Sequence, residues 1–187
     1  GAGAAPEGRH WVVAKWRAET AVKESGLAYT ILRPSWVYGP EDRSLNRFLK
    51  MSRFLPFVPL IGMAGSQQMQ PVFIDDVGSA VAESLDNPAA NNQLFDVGGP
   101  QVMSMSDVVR AALRASGRRR LLLPTPTPIM KLVASIIQFA PGKPLTPNAV
   151  DFIAHDALAD PTAIQNKLGL RMTRLDEALA TYLGKKP

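Results

Sequence analysis

Short apolar runs of extended character alternate with stretches of helical periodicity along this chain, and that order admits few architectures. Residues 10–25 read as a helix stopped by Gly26, and Tyr29-Thr-Ile-Leu-Arg33 as a buried strand ahead of Pro34. After the loop Ser35-Trp-Val-Tyr-Gly-Pro40, a helix is expected over about 42–54, with Leu45, Phe48, Leu49 and Ser52 on one face. Phe57-Val-Pro-Leu-Ile61 and Pro71-Val-Phe-Ile74 read as strands. Asp75 or Asp76 then caps a helix whose apolar face is Val77, Ala80, Val81, Ser84 and Leu85. Leu94-Phe-Asp-Val97 is a strand closed by Gly98-Gly99-Pro100. Ser104, three residues before Asp107, has the spacing of a capping box for a helix over 105–116 with Val108, Val109, Ala112 and Leu113 inward. Leu121, Leu122 and Leu123 form a last strand, and helices follow over about 128–139, 147–155, 161–168 and 173–183, with Thr146, Asp160 and Thr173 as caps. Strand, helix, strand and helix in this order predict a parallel α/β sheet.

Composition narrows the chemistry. The 187 residues, 46% hydrophobic, supply a real core, and the absence of cysteine excludes a thiolate nucleophile, a Cys-ligated metal and a disulfide framework. His10 and His155 are too far apart in sequence for a local His-based motif, so no metal site is expected. A net charge of +5 raises the question of nucleic acid, but Arg118, Arg119 and Arg120 form the one basic run, just after Gly117, where a helix stops. There they complement the helix dipole, the alternative being a phosphate-binding patch, and no nucleic-acid partner is expected. Residues 54–74 carry no charge, but Pro56, Pro59, Pro71, Gly62 and Gly65 forbid one membrane-spanning helix. Gly1–Ala5 lacks the pattern of a secretory signal, so a cytoplasmic location or the cytosolic face of a membrane is expected. Between Pro128 and Phe139, Lys131, Ser135 and Gln138 make one narrow polar stripe on an otherwise apolar helix; burial is expected, with peripheral membrane contact as the alternative.

Ligands of parallel sheets bind outside the carboxyl ends of strands, which directs attention to Arg33-Pro-Ser-Trp-Val-Tyr-Gly-Pro40. The proline fixes the backbone there and leaves the following N–H groups available to a ligand, unless the segment is only a rigid turn.

Taken together, Ala14-Lys-Trp-Arg-Ala-Glu19, Leu32-Arg-Pro-Ser-Trp-Val-Tyr-Gly-Pro40, Pro71-Val-Phe-Ile-Asp-Asp-Val77 and Phe95-Asp-Val-Gly-Gly-Pro100 resemble the second half of an extended or atypical short-chain dehydrogenase/reductase, of the NAD-dependent epimerase/dehydratase superfamily. Pro59-Leu-Ile-Gly62, Gln70-Pro-Val72, Gly117-Arg118-Arg119, Pro144-Leu-Thr146 and Ala180-Thr-Tyr-Leu183 resemble, more narrowly, bacterial relatives of the NAD(P)H-binding accessory subunit of respiratory complex I. The resemblance implies the C-terminal part of a Rossmann-type doubly wound sheet, with 1–40 and about 76–100 as sheet elements and about 41–75 and 101–187 as a smaller, mostly helical substrate lobe. It implies NAD or NADP as cofactor of a full-length parent and an oxidoreductase, epimerase or dehydratase activity on a small molecule. The alternative is a non-catalytic dinucleotide-binding assembly protein in contact with a respiratory complex.

The family pairs a Tyr with a Lys four residues later, the Lys holding the nicotinamide ribose and lowering the phenol pKa. Lys15 matches that lysine, as catalytic and cofactor-binding residue, but Trp11 stands at the tyrosine position, and a solvated helix lysine is the alternative reading of Lys15. Pro34, Ser35 and Val37 match the segment that contacts the nicotinamide carboxamide, and Tyr38, Gln70 and Phe73 match the substrate pocket. The family's G-x-x-G-x-x-G turn has no counterpart, so little dinucleotide binding is expected of this chain by itself. A strand at 28–33 without its usual neighbour implies an open edge, and homo-oligomerisation through that edge or through helix 10–25.

Overall fold

The computed structural model describes residues 3–62, 67–139, 145–153 and 155–184, and the alternation expected from the sequence runs along them. The first half holds α1 (His10–Glu24), β1 (Thr30–Pro34), β2 (Val37–Tyr38), α2 (Leu45–Phe54), β3 (Phe57–Ile61), β4 (Gln68–Met69), β5 (Val72–Phe73) and α3 (Ile74–Asp86). The second half holds β6 (Gln93–Val97), β7 (Met103–Ser104), α4 (Met105–Ala115), β8 (Leu121–Thr125), α5 (Thr127–Ile137), α6 (Pro147–Ile153), α7 (Thr162–Leu168) and α8 (Leu175–Tyr182). β1 with β6, β2 with β5 and β3 with β8 are parallel pairs; β4 with β7 is antiparallel. Parallel neighbours need crossover connections, which is what the interleaved helices supply.

The chain folds into two units, neither continuous in sequence. The first takes the residues up to Gly39 with Gln70–Val102 and Ala157–Ala178. Its core is Val72, Ala80, Phe95, Val97, Ile164 and Leu168, with Leu32 and Val37 packed against them. Phe95 and Val97 point to the core because side chains alternate along a strand, and each such apolar side chain stabilises the fold by about 1.5–3 kcal/mol when fully buried. Residues 70–75 and 157–178, expected with the substrate lobe, therefore belong to this unit: α7 supplies two of the core residues, and β5 pairs with β2. A Cβ on Gly98 would lie 1.8 Å from the Ala159 carbonyl oxygen, and one on Gly99 1.8 Å from that of Pro71, so the turn after β6 admits only glycine.

The second unit takes Pro40–Met69, Met103–Asp156 and the residues from Leu179 on. Ile61, Met130, Ala134 and Val150 form one of its clusters. The Ser104 hydroxyl accepts the Asp107 N–H at 3.1 Å, the cap expected for α4, whose Val108, Val109, Ala112 and Leu113 are all buried. Gly117, at φ +68°, ends the helix: the Gly117 N–H donates to the Arg114 carbonyl and the Arg118 N–H to that of Leu113. The arginine run then serves a different helix from the one it follows. Arg118 Nη1 donates to the Leu49 carbonyl at 2.8 Å and to Ser52 Oγ at 3.1 Å, and Arg120 Nε to the Ser52 carbonyl at 2.9 Å, closing the carboxyl end of α2.

Three local expectations are corrected. Asp76 does not cap α3; it is buried and accepts the N–H and the hydroxyl of Thr173, both at 2.7 Å, so Thr173 is a tether and not the cap expected for the last helix. Of the apolar face expected on α3, Ala80 is buried but Val81 and Leu85 are exposed. On α5 only Met130 and Ala134 are buried, while Ile129, Leu132, Val133 and Ile136 are exposed.

The strand β1 is held to α1 by a bidentate ion pair: Arg33 Nε donates to Glu19 Oε1 at 2.9 Å, and Arg33 Nη2 to Glu19 Oε2. The Arg33 hydrogen bonds hold the Glu19 carboxyl below its ordinary value of 4.5, against the opposing effect of burial. A carboxyl so depressed gives its full stabilisation above that ordinary value and loses it as pH falls through the lower folded value. Glu19→Gln is therefore expected to lower unfolding stability at pH 7 by about 1–3 kcal/mol in urea titrations. The gap to the unmodified chain should narrow as pH is lowered through the carboxylate range. The glycines offer a second comparison by the same measurement. Gly99→Ala should destabilise by about 3 kcal/mol or more, whereas Gly78→Ala, with open space around its Cβ inside α3, should stabilise by about 0.5–1 kcal/mol.

Candidate functional site

The sheet of the first unit fixes the exit of β1. Its register with β6 sets Arg33 opposite Asp96 and Pro34 opposite Val97, and the Ser35 N–H continues the ladder by donating to the Val97 carbonyl at 3.1 Å. The chain turns at Trp36, whose carbonyl accepts the Val72 N–H at 3.0 Å, and enters β2 beside β5. Pro34, Ser35, Trp36 and Val37 all stay half-buried, so the turn keeps an accessible surface at the carboxyl end of the strand. The N–H of Ser35 is not available to a ligand as expected, because the parallel ladder extends one residue past the proline.

Gln70 ties this turn to its surroundings. Its carbonyl accepts the Ser35 hydroxyl and, at 3.2 Å, the Gly99 N–H; its own N–H donates to Ala157 at 2.9 Å; and its side-chain Oε1 accepts the Ala159 N–H at 3.2 Å. Four stretches of chain thereby meet at one residue. Tyr38 is fully buried between Trp36, stacked at 6.3 Å between ring centroids, and Phe73, tilted at 5.7 Å. Phe73 is buried as well. Gln70, Tyr38 and Phe73, the three residues assigned to the substrate pocket, thus lie side by side as supports beneath the turn.

On α1, Trp11, Lys15 and Glu19 are spaced by four and share one face. The Glu19–Arg33 pair brings that face to the end of β1, and Lys15 sits one turn, about 6 Å, before Glu19 along the helix. Lys15 Nζ lies 5.3 Å from the centroid of the Trp11 ring, so the indole occupies one side of the ammonium. The Asp96 carboxyl is pushed above its ordinary value by burial, with Arg33 opposing the shift and Asp160 adding to it.

The residues that organise the site went unnoticed in the sequence. Glu19 had a faint signal, an acid two turns after Trp11 on the Lys15 face; Asp96 and the 157–159 segment had none, because their partners lie 60 or more residues away in sequence. Among the described residues no group of three or more His, Asp or Glu could hold a metal ion.

No protein-family model matches the chain. It is 31% identical over 131 residues to the NADH dehydrogenase (ubiquinone) 1 alpha subcomplex subunit 9 of Arabidopsis thaliana mitochondria, covering 70% of this chain and 32% of that protein. A nucleoside-diphosphate-sugar epimerase of Staphylococcus aureus superposes with a TM-score of 0.66 at 17% identity, over 88% of this chain and 56% of the epimerase. The dTDP-4-dehydrorhamnose reductase of Bacillus anthracis, solved in complex with NADP, superposes with a TM-score of 0.66 at 14% identity, over 92% and 54% of the two chains. These structures share the Rossmann-type fold, and the chain spans about a third of the Arabidopsis relative. The sequence relation and the fold agree: the chain is similar in sequence to the mitochondrial 1 alpha subcomplex subunit 9 proteins and shares the Rossmann-type fold of the epimerase and reductase structures.

Proposed function

We propose that this chain provides the nicotinamide side of an NAD(P)-binding site and holds the dinucleotide without the tyrosine-dependent proton transfer of its enzymatic relatives. The observation that carries the proposal is the Trp11–Lys15 pair on a helix face tied to the end of β1. Lys15 retains a charge that can hold ribose hydroxyls, and the half-buried Pro34 and Val37 offer an apolar seat for a planar ring. Ser35 contributes by fixing the turn, since its hydroxyl is donated to Gln70. A bound nicotinamide supplies hydride transfer. Indole at position 11 neither gives nor takes the proton that a carbonyl reduction requires, which favours a holding role over turnover.

The residues present fit the nicotinamide end of the cofactor and not its pyrophosphate. The glycine turn of the chain, Gly98-Gly99-Pro100, has its Gly99 N–H donated to Gln70 and both glycine Cα atoms against carbonyl oxygens, so it is no phosphate cradle. The Arabidopsis relative is by name a subunit of NADH dehydrogenase, which supports an assembly role beside a respiratory complex. The edge of β1 away from β6 carries no strand among the described residues; there a further strand of the family's sheet, or a second copy of the chain, would add. No helix among the described residues is long and apolar enough to cross a membrane.

Nicotinamide mononucleotide carries the ring and ribose without the adenosine half and so tests the site directly. Saturation-transfer NMR on the chain should show transfer to the nicotinamide protons with a dissociation constant on the order of 1 mM. Lys15→Ala should weaken it roughly tenfold, the scale of one charge-assisted hydrogen bond. Equal transfer to adenosine monophosphate, or no response to Lys15→Ala, rules the site out. Steady NADPH oxidation with a quinone or a sugar nucleotide would establish an enzyme and end the holding-only reading.

A further inference from the structure

An open cleft of about 550 Å³ lies within the second unit, in the size range of small-molecule sites. The face of α2 that carries Asn46, Lys50 and Arg53, at i, i+4 and i+7, forms one wall. The turn Ser116–Arg118 after α4 and the residues from Tyr182 to Gly184 at the end of α8 complete it. Leu49, Ala115 and Leu183 give it apolar surface. None of these residues belongs to the nicotinamide site.

Three cations line the cleft, Lys50, Arg53 and Arg118, and among the described residues no Asp or Glu does. Lys50 and Arg53 are exposed, and their side chains make no hydrogen bond or ion pair among the described residues. Arg118 uses one nitrogen, Nη1, for the Leu49 carbonyl at 2.8 Å and Ser52 Oγ at 3.1 Å, and keeps Nε and Nη2. The negative ends of α2 and α4 do not cancel this charge, because each is worth only about half an elementary charge. Their carbonyls are also met already: those of α2 by Arg118 and Arg120, those of α4 by the Ser116 hydroxyl and the N–H groups of Gly117 and Arg118. Asp42, whose charge is felt at Tyr182, is held at the other end of α2 by the N–H groups of Ser44 at 2.8 Å and Leu45 at 2.6 Å. Three positive charges thus share one cavity, and Lys50 and Arg53, neighbours on one helix face, repel each other. A monocarboxylate would leave most of that charge unanswered. A phosphate monoester carries about −1.5 to −2 at neutral pH, with acceptor oxygens suited to guanidinium and ammonium donors. The cleft is larger than bare phosphate fills, and Leu49 and Leu183 suit an apolar body beside the phosphoryl group. We propose that this cleft binds a phosphate monoester with an apolar body, its oxygens held by Lys50, Arg53 and Arg118 and its body set against Leu49 and Leu183.

An NMR titration of the full, ¹⁵N-labelled chain with phenyl phosphate tests it. Binding is expected with a Kd on the order of 1 mM or tighter, weakening as salt is added. The shifts should centre on the amides of 49–53, 116–118 and 182–184. Lys50→Gln with Arg53→Gln should weaken binding at least about tenfold. Both side chains are exposed, so circular dichroism should be unchanged. Arg17→Gln with Lys23→Gln, which removes the same charge from exposed positions of α1, should leave Kd within about twofold. Benzoate lacks the dianion and inorganic phosphate the apolar body, so each should bind roughly tenfold more weakly than phenyl phosphate. Dihexanoyl phosphatidic acid below its micelle concentration presents the same group on a lipid: tighter binding than phenyl phosphate assigns the cleft to a lipid headgroup, weaker binding to a soluble ester. In the Lys50→Gln, Arg53→Gln background the mononucleotide comparison at Lys15 is free of this cleft, so the two sites fail separately. Absence of binding by both phosphate esters at millimolar concentration overturns the proposal. So does undiminished binding of the α2 variant, an equal loss in the α1 variant, or benzoate bound as tightly as phenyl phosphate.

Discussion

The first unit depends on the hydrogen bonds gathered at Gln70. One residue receives the Ser35 hydroxyl and the Gly99 N–H on its carbonyl, and reaches Ala157 and Ala159 with its own N–H and side chain. These groups are partly or fully withdrawn from water, where an unmade hydrogen bond costs more than a made one contributes. The arrangement is therefore close to all-or-none. The exit of β1, the glycine turn after β6 and the return of the chain at 157 hold their places together, and Gly98 and Gly99 are bare of side chains because the backbone they meet is already at contact distance.

Several charges in this molecule are structural. The Arg33–Glu19 pair locks a helix to a strand, Arg118 and Arg120 satisfy carbonyls of α2, and Asp76 receives both donors of Thr173. Each is an opposite-charge or dipole contact made between segments far apart in the sequence, so each does the work of a crosslink.

The sequence revealed what periodicity and turn chemistry encode. The helices α1 to α4, the strands β1, β3, β5 and β6, the Ser104 cap and the buried face of α4 follow from local pattern, whereas the two-residue strands β2 and β4 are too short to leave one; the strand exit at Pro34 follows from the rule that parallel sheets bind ligands at their carboxyl ends. Side-chain destinations were harder to read. Asp76 and Thr173 looked like caps because both stand near helix starts, but their partner is each other across 97 residues. Tyr38, Gln70 and Phe73 are placed by family likeness, and the burial of Tyr38 and Phe73 reflects packing that no local pattern records. For α5, an apolar helix in a small chain is ordinarily buried; its exposure could be seen only once its neighbours were in place.

The discontinuity of the first unit has a consequence for synthesis. Its core is closed by Ile164 and Leu168, while β1 and α1 stand near the beginning of the chain. As the chain leaves a ribosome, β1 meets β6 only some sixty residues later, and the apolar side of that pair stays uncovered until α7 has emerged. A fold with such distant partners closes slowly, and its nascent form passes through a long interval with an unprotected sheet face.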